Sequence, residues 1–139
     1  MRITIGLMTI SILLAGNAAA DNQRAQVNYM LNCQGCHTPG GRGFPDKGVP
    51  SLMGFMGKFL QVAGGREFLI QVPGAAQSTL NSAQLAEMTN WMLTTFDPDS
   101  ITEEFSPYSA WEVEMLRAKK LIEVGAVRAA LVEEIQALR

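Results

Sequence analysis

The sequence predicts an all-α fold: a small bundle of helices joined by loops rich in glycine and proline. Hydrophobic side chains recur at helical spacing from Leu85 to Phe96, which is the pattern of an amphipathic helix. Asn81 and Gln84 precede this run with the spacing of a capping box, and Asp97 begins the turn that ends it. No stretch alternates apolar and polar residues as a half-buried strand would.

Caps and turn residues divide the rest of the chain into helices. Residues 38–48 hold four glycines and two prolines, which sustain neither a helix nor a strand ladder, so this segment is predicted to be a loop. A glycine pair at 64–65 ends a short helix, and Pro73 closes the next one. Ser109 and Glu112 have the spacing of a second capping box, which opens a later helix. Gly125 predicts a break before the last helix. The predicted helices cover residues 21–30, 55–62, 67–72, 81–96, 109–124 and 126–138.

The first twenty residues predict an export signal rather than part of the fold. Arg2 supplies a positive charge before a mostly apolar run at residues 3–15, and alanines at 18–20 give the small-residue pattern of a cleavage site. The apolar run is shorter than the roughly 20 residues that span a bilayer, so a membrane anchor is the weaker alternative. We predict a signal peptide at residues 1–20, cleaved after about Ala20, and a periplasmic mature chain without a transmembrane segment.

The composition of the chain limits the kind of fold and the kind of partner that it can have. Apolar residues make up 47% of the 139 residues, enough for a packed core. The chain has 11 basic and 13 acidic residues, which leaves no excess positive charge to neutralise phosphates, so nucleic acid is excluded as a partner. We divide the mature chain into a domain at residues 21–98 and a C-terminal helical extension at residues 99–139.

The chemistry lies in one short motif. The chain has two cysteines and one histidine, all within Cys33-Gln34-Gly35-Cys36-His37. A Cys-x-x-Cys-His run is the signature of c-type haem attachment: each thiol adds to one vinyl group of the haem, and the histidine ligates the iron. The motif therefore predicts one covalently bound haem c, with His37 as an iron ligand.

Three other interpretations of the motif are weaker. A structural disulfide suits an exported protein, but it gives no role to the adjacent histidine. A zinc site needs about four ligands, and the sequence holds no other cysteine or histidine. A thioredoxin-like redox pair belongs in a βαβ setting, whereas this motif follows a helix in an all-α chain.

With the motif in place, residues 22–96 resemble a class I cytochrome c domain. A helix leads into the motif, a loop follows, Pro50-Ser51-Leu52 is similar to the Pro-x-Leu segment beside the haem in that family, and Trp91 stands where the family has an aromatic residue. The resemblance implies a small helical bundle around one haem and one-electron transfer rather than enzymatic catalysis. It also implies redox protein partners: a dehydrogenase as donor, and an oxidase or another cytochrome as acceptor.

The second axial ligand of the iron stays open at this point. The family usually places a methionine in the loop before the last helix, but residues 73–80 contain none. Met53 and Met56 are the thioether candidates, and the alternative is an open or weakly ligated position with Gln77 nearby. A ligated iron favours an electron carrier, whereas an open iron favours a protein that binds or senses small ligands.

Two side chains are candidates for contact with the haem propionates. Arg66 could form an ion pair with a propionate or lie in solvent, and the indole of Trp91 could donate a hydrogen bond to one or serve only in the core. The extension either packs back on the domain or docks on a partner, and the latter suits a cytochrome subunit fixed in an enzyme complex.

Overall fold

The structure, a computed structural model, describes residues 12–138, with side chains from residue 20 onward. Within that range the protein is all-α, as predicted, and its strand-like pairing is confined to one isolated bridge between Phe44 and Val49. The helices are α1 (Ile12–Asn32), α2 (Gln34–His37), α3 (Gly65–Gln71), α4 (Pro73–Ala76), α5 (Ser82–Phe96), α6 (Ala110–Arg117) and α7 (Val124–Ala137), with 3₁₀ turns at Pro45–Lys47, Met56–Gln61 and Pro98–Ser100.

The N-terminal helix is longer than predicted. It begins at Ile12 rather than near Asp21, because the alanine-rich residues before Asp21 have high helix propensity and no proline interrupts them. Residues 1–11 of the predicted signal peptide lie outside the described residues, and the remainder forms the start of α1. No helix in the described part of the chain is long and apolar enough to cross a bilayer.

The main core forms where α1 packs against α5. Tyr29 is buried, and its ring centroid lies 5.5 Å from that of Trp91 and 5.1 Å from that of Phe96. Such tilted aromatic pairs contribute about 0.5–1.5 kcal/mol beyond the area that they bury. Leu85 and Leu93 are fully buried in the same cluster, so the helical periodicity of α5 identifies its buried face correctly.

Both ends of α5 follow the sequence signals. The Asn81 side chain accepts a hydrogen bond from the Gln84 N–H at 2.9 Å, and the Gln84 side chain accepts one from the Asn81 N–H at 3.0 Å. This reciprocal pair is the predicted capping box. The helix ends at Phe96, directly before Asp97 and Pro98.

The middle of the domain differs from prediction in detail. The helix expected at 55–62 is the 3₁₀ turn Met56–Gln61, and α3 begins at Gly65 rather than near Glu67. Gly65 lies so close to this turn that a Cβ there would be 1.9 Å from the Phe59 carbonyl oxygen. The glycine pair therefore separates the 3₁₀ turn from α3. Because Gly65 has no Cβ, the start of α3 can pack directly against the backbone of the turn.

The extension packs on the domain through α6 and α7. Val113 of α6 is fully buried in the main core, and Leu131 and Ile135 of α7 pack with Phe59 and Phe68 in a second cluster. The Ser109 side chain accepts a hydrogen bond from the Glu112 N–H at 3.2 Å, so Ser109 caps α6. The predicted capping box is incomplete there, because the Glu112 carboxylate binds Arg66 instead.

The boundary between the last two helices is also corrected. The predicted helix to about residue 124 ends at Arg117, and α7 runs through Gly125 instead of breaking there. Gly125 occupies the first turn of α7, where helical backbone angles suit any residue. The break lies at residues 118–123, and it closes with Glu123 in a left-handed conformation at φ +56°.

Candidate functional site

One helical turn positions the motif. The N–H groups of Cys36 and His37 donate to the Cys33 carbonyl at 3.1 and 2.9 Å, so α2 continues almost directly from the end of α1. Residues three apart on a helical turn lie on the same side of it. The two sulfur atoms therefore belong to one side of the turn, and the imidazole follows immediately.

The two cysteines are not joined in a disulfide, and they differ in exposure. Cys36 is exposed, whereas Cys33 is half-buried with its Sγ 3.8 Å from the Met88 Sδ. Burial raises the pKa of Cys33 to about 11, so this group is a neutral thiol at pH 7. Two unpaired thiols are what thioether attachment to two vinyl groups requires.

The imidazole of His37 suits iron ligation. Burial lowers the pKa of His37, and the Pro50 carbonyl opposes this effect in part. The ring is therefore neutral at pH 7, which is the form that binds metals. Its Nδ1 is buried and has no hydrogen-bond partner of good geometry among the described residues, which is rare for buried polar atoms.

The loop after the motif folds back on the histidine. The Gly43 N–H donates to the His37 carbonyl at 2.9 Å. A Cβ at Gly43 would lie 2.6 Å from the carbonyl oxygens of Val49 and Pro50, so only glycine allows this approach. The Tyr29 hydroxyl donates to the Thr38 carbonyl at 2.6 Å. These contacts bring the Pro50 segment beside His37.

The donor set fits a haem and does not fit a protein-held metal. In the part of the chain that the structure describes, no three His, Cys, Asp or Glu side chains cluster closely enough to hold a metal ion. A zinc ion would therefore lack most of its ligands. Two thiols and one neutral imidazole on a single turn are sufficient for a haem, because the porphyrin itself supplies four ligands to the iron.

The two methionine candidates have different surroundings. Met56 is 4% exposed and belongs to the main core, whereas Met53 is 45% exposed. Met53 lines a cavity of about 530 Å³ together with Pro50, Phe55 and, from α7, Arg128. Among the described residues that line this cavity, Arg128 is the only basic one. Its position on the polar side of α7 does not predict from sequence that it lies there.

The propionate candidates are both engaged within the protein. The Arg66 guanidinium donates to the Glu112 carboxylate at 2.6 and 2.8 Å, and its carbon lies 4.0 Å from the Tyr108 ring centroid. Trp91 is half-buried and packs on Tyr29 and Phe96. Sequence reasoning finds no partner for Arg66, because Glu112 is 46 residues away and no local pattern links the two.

Similarity to known proteins decides the family. Two proteins of Thermus thermophilus named cytochrome c-552 are similar to this chain. One is 31% identical over 128 residues, spanning 79% of this chain and 84% of the relative. The other is 32% identical over 107 residues, spanning 64% of this chain and 81% of the relative. The chain is a c-type cytochrome.

The family membership fixes the cofactor and the general activity. This cytochrome carries covalently bound haem c with its iron and is an electron-transfer protein rather than an enzyme. No protein-family model matches the chain. The all-α fold and the absence of a disulfide between Cys33 and Cys36 agree with the relatives' name.

Proposed function

We propose that this cytochrome is a periplasmic carrier that relays single electrons from a dehydrogenase or other oxidoreductase to an oxidase or cytochrome acceptor. The bound haem supplies one-electron exchange between ferrous and ferric iron. The observation that carries the proposal is the single helical turn with the free thiols of Cys33 and Cys36 beside the neutral imidazole of His37. Export is supported by the signal-like residues 1–20.

Within this proposal each motif residue has one task. Cys33 and Cys36 form the thioether bonds that hold the cofactor, and His37 ligates the iron. Residues 21–98 form the domain that encloses the haem, and residues 99–139 form an extension that packs on that domain. Because the extension packs on its own domain, apolar side chains from both of its helices are already covered. This favours a carrier over a subunit that uses the extension as its anchor.

Met53 is our first candidate for the second axial ligand. Its side chain is 45% exposed, so it can move without opening the core. Met56 is 4% exposed among the core side chains, and withdrawing such a side chain from a core costs about 2–5 kcal/mol. Burial therefore favours Met53 over Met56.

A second candidate function is a haem protein that binds or senses small ligands. It is favoured by the loop before α5, where residues 73–80 contain no methionine. The visible spectrum of the pure protein in both redox states separates the two functions. A methionine–iron band in the ferric protein supports the carrier, and a high-spin ferric spectrum supports the ligand-binding protein.

Trp91 is the better of the two proposed propionate contacts. Arg66 would have to exchange Glu112 for a propionate, which breaks two charge-assisted hydrogen bonds. Trp91 packs on Tyr29 and Phe96 through its ring, and in this proposal its indole N–H donates to the propionate. Replacing Trp91 with Phe keeps an aromatic ring and tests this contact through the reduction potential.

A further inference from the structure

The last residue of α6 binds the loop between α4 and α5. The Arg117 guanidinium donates four hydrogen bonds to three backbone carbonyls: to Ala76 at 3.2 and 2.8 Å, to Leu80 at 2.7 Å and to Ser78 at 3.1 Å. The three carbonyls belong to the end of α4 and to the loop that leads into α5. One side chain of the extension therefore holds residues 76–80.

That loop lies beside the haem attachment site. The Thr79 hydroxyl donates to the Asn32 side-chain oxygen at 3.1 Å, and Asn32 directly precedes Cys33. Ala75, at the end of α4, packs against the same core cluster as Cys33. The segment that Arg117 fixes thus contacts the chain immediately before the first thioether position.

The hydrogen bonds that Arg117 donates depend on the planar shape of its guanidinium as well as on its charge. The described structure gives Arg117 no carboxylate partner, so its charge is satisfied by carbonyl oxygens alone. A planar guanidinium can donate in several fixed directions at once, whereas the ammonium of lysine acts as a compact point charge. Lysine at this position would keep the charge and lose the simultaneous hold on three carbonyls.

We propose that Arg117 is a positioning residue: by fixing residues 76–80 beside Asn32, which directly precedes Cys33, it limits the access of small ligands to the iron. This inference rests on the proposed function only in requiring a haem ligated by His37. Loosening the loop lowers the free energy needed to admit an exogenous ligand. Arg117 then couples the extension to the haem environment.

The test is imidazole binding to the ferric holoprotein, measured by visible spectroscopy in the wild type, Arg117→Lys and Arg117→Gln. We expect both variants to bind imidazole at least about fivefold more tightly than the wild type, the lower end of common coupling between sites, and with a faster association rate. A gain in affinity below about fivefold, or weaker binding, contradicts the proposal.

Two control variants separate loop positioning from general stability. Glu112→Gln loosens α6 at its contact with Arg66 and leaves the Arg117 contacts in place, and Lys119→Met removes an exposed charge near the end of the same helix. Both should bind imidazole as the wild type does. If Arg117→Lys fails to accumulate as a haem protein while Lys119→Met does, Arg117 serves global stability and the proposal is wrong. A wild type without haem absorbance would overturn the proposed function instead.

Discussion

The Glu112 carboxylate of α6 binds the Arg66 guanidinium of α3 through two hydrogen bonds, at 2.6 and 2.8 Å. The same guanidinium donates to the Ser106 carbonyl at 2.8 Å and lies over the Tyr108 ring, whose hydroxyl donates to the Arg66 carbonyl at 2.7 Å. One arginine of the domain therefore anchors the first part of the extension. Arg66, a candidate propionate contact in the sequence, holds the C-terminal segment in this structure.

Glu112→Gln should lower the free energy of unfolding by about 1 kcal/mol at neutral pH, near the upper end for partly exposed ion pairs. The hydrogen bonds from Arg66 lower the pKa of Glu112, so the ion pair stabilises the fold above the ordinary carboxyl pKa. This stabilisation is lost as the pH falls through the lowered pKa. Urea unfolding at pH 7 and near pH 3 should show the difference between wild type and variant shrinking in acid. A constant or growing difference would contradict the ion pair.

Gly65→Ala should destabilise the protein by about 3 kcal/mol or more, because its Cβ would lie 1.9 Å from the Phe59 carbonyl oxygen and the backbone must move. Gly74→Ala is the matched control: a Cβ at Gly74 meets nothing within 4 Å. Thermal unfolding of the two variants measures the contrast. Equal melting temperatures would show that α3 and the preceding 3₁₀ turn do not touch as described.

Asp97→Ala should cost about 1–3 kcal/mol, the penalty for leaving a buried donor unpaired. The buried Asp97 carboxylate accepts from the Gly57 N–H at 2.7 Å and from the Ser100 hydroxyl at 2.9 Å. Asp97→Asn keeps an acceptor and should cost less. Denaturant unfolding compares both with Asp99→Asn, a change at an exposed aspartate that should be neutral. If Asp97→Ala is as stable as Asp99→Asn, this contact does not stabilise the fold.

Met53→Ala should convert the ferric haem to a higher spin state and lower its reduction potential if Met53 is the axial ligand, since a methionine ligand raises the potential. Visible spectroscopy and redox titration measure both changes. Met56→Ala should keep the wild-type spectrum and lose about 2–5 kcal/mol of stability, because it removes a core side chain. An unchanged spectrum in Met53→Ala would exclude Met53, and a changed one in Met56→Ala would reassign the ligand.

The sequence predicts those parts of the fold whose causes are local. Both ends of α5 are predictable because Asn81, Gln84 and Asp97 act on their own neighbours, and its buried face follows from spacing alone. The end of α6 is mispredicted because Arg117 turns toward carbonyls about 40 residues earlier in the chain. Gly125 wrongly predicts a break because a glycine in the first turn of a helix looks the same in sequence as one that ends it.

The same division holds for the site. The proposed attachment residues Cys33, Cys36 and His37 lie within five consecutive positions, so the sequence alone is enough to propose them. The surroundings of Arg66 and Arg117 depend on contacts between segments far apart in sequence, and no pattern of spacing encodes them. For the same reason the sequence does not decide between Met53 and Met56 as the second iron ligand.

The measurement that tests the central claim most directly is the visible spectrum and intact mass of the protein after denaturation, purified from a host competent in cytochrome c maturation. The account predicts one haem that stays bound to the unfolded chain through Cys33 and Cys36, and the loss of this bound haem in a variant with both cysteines replaced by alanine. Colourless wild-type protein whose two sulfur atoms are free or joined to each other would contradict it.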